Sequence, residues 1–311
     1  MGRILTIDGG GIKGVMPAAF LAAVEEATGR PVTDYFDLIA GTSTGGIIAL
    51  GLGLGMPAAD LVRFYEELGP AVFGGSRLWR IVRRAGVSAY TSGPLRAALE
   101  EKFGDRRLGE SRSRLVIPSV NLETGEVYIY KTAHHPRFER DYWEWRLSRA
   151  RRLRRPPTYF PTHRSAAGLP LIDGGMWANN PTGLATVEAI GVLGWERTSL
   201  RSLALAVPRS PRMPRAAIRF SLGWSYWAWK SVEVFMAAQS SASLGTAAIL
   251  VGHENVLRIC PVSGRRRFGL DKVSEIGSLK GLGDSEARKA LPKLRDMFLA
   301  DPVEVFEPYR R

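Results

Sequence analysis

Phe36-Asp37-Leu38-Ile39-Ala40 passes without a break into Gly41-Thr42-Ser43-Thr44-Gly45, and an apolar stretch continues to Leu54. A strand that turns into a helix within so few residues leaves no room for side chains at the bend. Glycines two before and two after the serine remove them. Ser43 then stands at a helix N-terminus, where the helix dipole favours developing negative charge. The bland alternative is a turn built from small residues. Either way, the order of strand, glycine loop, helix, strand, elbow and helix over residues 3–54 predicts a parallel α/β arrangement.

Two further glycine stretches give the serine a context. Asp8-Gly9-Gly10-Gly11-Ile12-Lys13-Gly14 follows the apolar run Arg3–Ile7. With no Cβ, Gly9, Gly10 and Gly11 can bring backbone N–H groups close to a substrate oxyanion. Gly9 to Gly14 also satisfies G-x-G-x-x-G, so a dinucleotide or phosphate cradle competes. That reading lacks the acidic residue at a strand end about 20 positions on. Lys13 either adds positive charge beside the loop or is a surface lysine. The third stretch, Asp173-Gly174-Gly175, follows Leu169 to Ile172 and delivers a carboxylate at a strand end. Acyl transfer needs a nucleophile, a base and oxyanion donors, and Ser43, Asp173 and the glycine loop supply those types. A histidine triad is the rival. The order Ser43, Asp173, His253 is formally compatible, but the elbow comes after a single βα unit and His253 reads as a plain turn residue.

Apolar spacing predicts helices over 15–28, 44–54, 58–68, 94–103, 182–193 and 284–299, with Gly29 ending the first. Strands are expected over 3–7, 36–40, 115–120, 127–131 and 202–207. Residues 70–92 and 134–170 read as surface excursions. Residues 216–251 read as one long helix whose Trp224, Tyr226, Trp227 and Trp229 suit either a lipid-facing surface or a packed interface between helices or copies.

The chain has 311 residues and a formal net charge of +13, with six arginines between Arg146 and Arg155 and a further cluster at Arg265–Arg267. Such charge suits an anionic lipid surface, a nucleic acid, or simply a solvated basic face. No module for sequence-specific nucleic-acid binding accompanies it. The single Cys260 has no partner for an internal disulfide, and no signal-peptide pattern opens the sequence, so a cytoplasmic protein is expected.

The three glycine stretches resemble those of the patatin-like phospholipases, as do Asp34-Tyr35-Phe36-Asp37-Leu38-Ile39-Ala40 and Trp177-Ala178-Asn179-Asn180-Pro181. The resemblance implies one domain over residues 1–311. Its three-layer α/β/α core, with a mostly parallel sheet, would span about 3–207, and a helical, regulatory portion about 208–311. Ser43 would be the nucleophile and Asp173 its direct base, with the Gly10 and Gly11 amides as oxyanion hole and Asp8, Lys13, Gly14, Gly41, Gly45, Gly174 and Gly175 shaping the motifs. Phospholipase A or lysophospholipase activity without metal or cofactor is implied, at the inner membrane surface. Lys131-Thr132-Ala133-His134-His135, Pro157-Thr158-Tyr159-Phe160-Pro161 and the tail from Phe268 to Pro308 are similar to a bacterial branch of anti-phage effectors. That branch implies activation by a cyclic oligonucleotide and allows a homo-oligomer. A catalytically weak nucleotide-binding or scaffold protein is the alternative. One departure stands out: Arg152-Leu153-Arg154-Arg155-Pro156 occupies a position where the family carries small residues. Burying unpaired arginines there would cost several kcal/mol each, on the order usual for uncompensated charge. The segment therefore faces outward or the pocket is altered.

Overall fold

The computed structural model describes residues 1–73, 99–143, 163–165, 167–208, 224–262, 268–269 and 272–310. The arginine-rich run 146–156, the 157–161 motif and the Arg265–Arg267 cluster lie outside these residues. So do the side chains of Trp224 to Trp229.

Strands β1 (Gly2–Ile7), β2 (Leu38–Gly41), β3 (Arg114–Asn121), β7 (Leu200–Leu205) and β8 (Val256–Ile259) form a parallel core in the order β3-β2-β1-β7-β8. Three shorter strands, β4 (Val127–Lys131), β5 (His163–Arg164) and β6 (Pro170–Asp173), join antiparallel around β3. The expected mostly parallel α/β sheet is what the chain forms.

Period-two alternation divides the buried strand residues between two faces. Leu5, Ile7 and Ile39 pack under helices α1 (Val15–Thr28), α2 (Thr44–Gly53) and α3 (Ala58–Phe73). Ile4, Leu38, Ala40 and Val116 face α5 (Thr182–Gly191), which lies behind a single turn, α4 (Gly175–Ala178). Helix α6 (Trp224–Val251) packs outside α5. On the α5 face Thr6 and Thr182, both fully buried, satisfy each other through their hydroxyls at 2.8 Å.

The packed core does not end near residue 207. Strand β8 extends the sheet beyond β7, and helix α7 (Ile276–Met297) lies along α1. Helix α7 also begins eight residues before the expected start at 284. Its glycines lower helix propensity in the sequence, and one of them serves contact: a side chain at Gly283 would strike the Met16 carbonyl. Beyond α7 the tail passes under the N-terminal ends of the strands. Arg3 donates to the Phe298 carbonyl at 2.6 Å, and Val303 N–H donates to Asp34 at 2.7 Å. The Arg114 guanidinium lies between the rings of Trp195 and Phe306.

Candidate active site

The C-terminal ends of β1, β2 and β6 converge, and each contributes one glycine stretch. At the end of β2, Ser43 takes φ 56° and ψ −122°, and it is the one non-glycine residue with positive φ among the described residues. That conformation is costly for a residue with a side chain and persists only where the surroundings enforce it. Here they do. A Cβ at Gly41 would run into the Gly45 carbonyl, and one at Gly45 into the Ile7 carbonyl. Thr42 N–H donates to Ile7 at 3.1 Å, and the Thr42 hydroxyl donates to the Ala178 carbonyl at 2.5 Å. The bend is therefore clamped between β1 and the segment that follows Asp173.

Strand β6 presents Asp173 opposite Ser119 of β3. A side chain at Gly174 would collide with the Pro118 carbonyl, so the chain there turns tightly over β3. Both carboxylate oxygens of Asp173 are directed. Oδ1 accepts from Gly175 N–H at 2.8 Å, and Oδ2 accepts from the Ser43 hydroxyl at 2.6 Å. Serine and aspartate, 130 residues apart in the chain, are thus in direct contact. His134 and His135 follow β4, and His253 precedes β8; all three belong to the opposite end of the sheet. Among the described residues no three His, Cys, Asp or Glu side chains gather as a metal site.

The glycine loop faces the elbow. A Cβ on Gly9 would lie 2.5 Å from Asn179 Oδ1 and 3.2 Å from Ser43 Cβ, and one on Gly10 would enter the Val207 side chain. The sequence groups Gly9 with Gly10 and Gly11 as a donor, but its N–H is committed to the Asn179 carbonyl at 3.0 Å. Its contribution is the missing side chain. The Gly10 N–H has only a long contact of 3.3 Å to Thr44 Oγ1, and Gly11 adopts φ 58°, a left-handed turn open to glycine. Gly14 leaves room for Tyr65, whose hydroxyl donates to the Thr44 carbonyl at 3.0 Å. Burial pushes that phenol well above its ordinary range, so it stays protonated and keeps its donor. Lys13 is buried, with Nζ 3.4 Å from the Pro208 carbonyl, and is not a surface lysine.

Sequence reasoning missed Arg258. From β8 it reaches across β7 to hold Asp8 by both carboxylate oxygens, with Nη1 to Oδ1 at 2.8 Å and a second bond from Nη2 to Oδ2. Burial works against the guanidinium charge, but Asp8 outweighs it and holds the group above its usual range. A lone arginine in a short apolar run, Val256-Leu257-Arg258-Ile259, was the available signal. Also missed was the anchoring of the segment after Asp173 to α6. Asn179 N–H donates to Gln239, and the Ser243 hydroxyl donates to the Asn180 carbonyl.

A second buried cluster lies at the far end of the sheet. Glu188 accepts from Lys131 at 2.6 Å and lies 3.1 Å from His134 Nε2. Thr132 Oγ1 accepts from Leu115 N–H, so its own proton points to His134 Nδ1 at 2.9 Å, leaving Nε2–H to donate to Glu188. Burial holds His134 below the ordinary imidazole range, which keeps it neutral. Burial also disfavours the Glu188 charge, but the hydrogen bonds from His134 and Lys131 outweigh it and keep the carboxylate below its usual range. Both shifts have the same sign for stability. The unfolded chain takes up protons first as pH falls, so this stabilisation is full above about pH 6.5 and is lost through the folded-state values below it. Thermal melts between pH 7.5 and 4 should show Tm level at the top and falling below about 6.5. His134→Gln should flatten the upper part of that fall.

A family model described as "Patatin-like phospholipase" matches residues 5–186. A protein named "cGAMP-activated phospholipase" from Pseudomonas aeruginosa is 31% identical over 316 residues, covering 99% of this chain and 91% of that one. A protein of the same name from Escherichia coli is 35% identical over 202 residues, covering 60% of this chain and 55% of its own length. "Patatin-like protein 2" of Oryza sativa is 32% identical over 213 residues, 58% of this chain and 51% of that one. The chain spans about half the length of these last two relatives. The matched region holds Ser43, Asp173 and all three glycine stretches, and the chain belongs to the patatin-like phospholipase family.

Proposed function

We propose that the chain is a serine lipid acyl hydrolase that cleaves phospholipid or lysophospholipid acyl esters with a Ser43–Asp173 dyad. The reading rests on one observation: the Ser43 hydroxyl, held in a left-handed elbow, donates to Asp173 Oδ2 at 2.6 Å. In this reading Asp173 accepts the serine proton as Ser43 attacks the ester carbonyl. The N–H groups of Gly10 and Gly11 receive the oxyanion, and the leaving lysolipid or alcohol takes the proton back. Water, deprotonated by Asp173, then attacks the acyl-enzyme and releases the fatty acid. The Gly175 N–H keeps the carboxylate turned toward the serine through both steps.

The relatives named for cGAMP activation support a further part of the reading, that a cyclic oligonucleotide switches the activity on. Peripheral contact with the inner membrane surface is proposed with it. The formal charge of +13 suits anionic lipid, and α6 exposes Phe235 and Ile249 on a stretch without charged residues from Val234 to Val251. The test is fatty-acid release from vesicles of mixed bacterial phospholipids, with and without a panel of cyclic di- and trinucleotides. Release by the wild type that disappears in Ser43→Ala is the expected result. Equal release by Ser43→Ala would overturn the dyad. No release by the wild type under any condition would favour a nucleotide-binding or scaffold role.

A further inference from the structure

At the end of the sheet away from Ser43 an open cleft of about 910 Å³ lies between the start of β2, the start of β3, the end of α2 and the tail at 303–306. Small-molecule sites fall in a range of about 300–1,000 Å³. We propose that this cleft is the binding site for a cyclic dinucleotide. The inference rests on the nucleotide-activation reading above and adds the place and the chemistry.

The lining carries charge of both signs, and most of the acidic groups are already engaged. Glu25 accepts from the Val32 and Ala58 N–H groups at 3.0 and 2.7 Å. Asp37 accepts from Arg3 N–H at 2.8 Å, and Glu110 accepts from Arg107 N–H at 3.0 Å. Two exposed arginines, Arg30 and Arg112, line the cleft with no carboxylate partner among the described residues. They suit phosphodiester oxygens, which guanidinium groups bind in a planar, two-pronged manner. Asp34 and Glu304 line the same space without a hydrogen bond through their carboxylates among the described residues. Carboxylates accept from the N–H edge of a purine, as guanine presents, and repel a bare phosphate. Arginines with acceptors therefore favour a ligand with phosphodiesters and base edges over inorganic phosphate.

The position explains how occupancy would reach the serine. Phe36 and Asp37 of the wall lead directly into β2, which ends at the elbow. Leu52, Gly55 and Met56 of the opposite wall close the far end of α2, whose first turn begins beside Ser43. Helix α2 is ten residues long, so about 15 Å of rigid helix joins the cleft to the nucleophile. Arg106 already holds that far end, donating to the Leu54 carbonyl at 2.7 Å. A ligand that favours one setting of this wall shifts both elements that frame Ser43 together.

The test measures binding of 3′,3′-cyclic GMP–AMP and of other cyclic di- and trinucleotides by isothermal titration on the full chain carrying Ser43→Ala. Arg30→Glu and Arg112→Glu are compared with Arg288→Glu, an exposed position on α7. We expect each cleft variant to weaken binding at least tenfold and the control to leave it within twofold. Each cleft variant should keep its Tm, since both side chains are exposed. Amide exchange at residues 36–41 and 52–57 should slow with nucleotide. Full-strength binding by both cleft variants would overturn the cleft while leaving nucleotide activation standing. No binding of any cyclic nucleotide by the parent would overturn both.

Discussion

Asp173→Asn should lower kcat/KM for ester hydrolysis by about 10³-fold or more, with little change in Tm. The asparagine is nearly isosteric, and its carbonyl oxygen can still accept one of the two bonds that Ser43 and Gly175 donate to Asp173. What it loses, in the proposed mechanism, is the capacity to take the serine proton. Ser43 bonds Asp173 directly, with no histidine between them. A 10³-fold loss corresponds to about 4 kcal/mol of transition-state stabilisation. Burst-phase assays with a chromogenic ester, run beside thermal melts, separate the two effects. A variant that kept more than a tenth of the activity would remove Asp173 as the base.

Asp8→Ala should destabilise the fold by about 3–5 kcal/mol, the usual cost of stripping a buried charge of its partner. The side chains of Asp8 and Arg258 are only 5% and 11% exposed. Among the described residues Arg258 Nε is buried with no hydrogen-bond partner, and apart from Asp8 the guanidinium has a 3.4 Å contact to Ser240. The double variant Asp8→Ala with Arg258→Met should recover most of the loss, because an apolar replacement of both members carries no stranded charge. Denaturant midpoints of the two single variants and the double variant measure this as a cycle. Equal stability of Asp8→Ala and the wild type would show the pair to be a passive contact.

The parts of the chain that could be read from sequence are those whose logic is local. Helix α1 begins at Val15 and ends at Thr28 as its spacing predicts, and Gly29 closes it at φ 67°. The glycines at 41, 45 and 174 could be read for the same reason: each answers a clash within a few residues or across one neighbouring strand. What could not be read depends on pairing across the chain. Strand β8 is four residues long and half-buried, with an arginine in the middle, so nothing local marks it as sheet. Its arginine makes sense only beside Asp8, 250 residues earlier. The committed N–H of Gly9 is similar, since its acceptor belongs to Asn179, which no periodicity ties to the glycine loop.

The order of strands also bears on when the enzyme can be assembled during synthesis. Strand β1 leaves the ribosome first, yet it lies between β2 and β7, whose Leu200–Leu205 arrive nearly two hundred residues later. Until then one edge of β1 lacks its ladder, and Asp8 lacks the β7 carbonyl of Leu205 to which its N–H donates. Contacts so distant in sequence close slowly and late. The elbow is translated well before the strand that fixes the glycine loop beside it, and Asp173 only shortly before that strand. A growing chain therefore carries Ser43 and its elbow before the neighbouring strand that frames the glycine loop has been made.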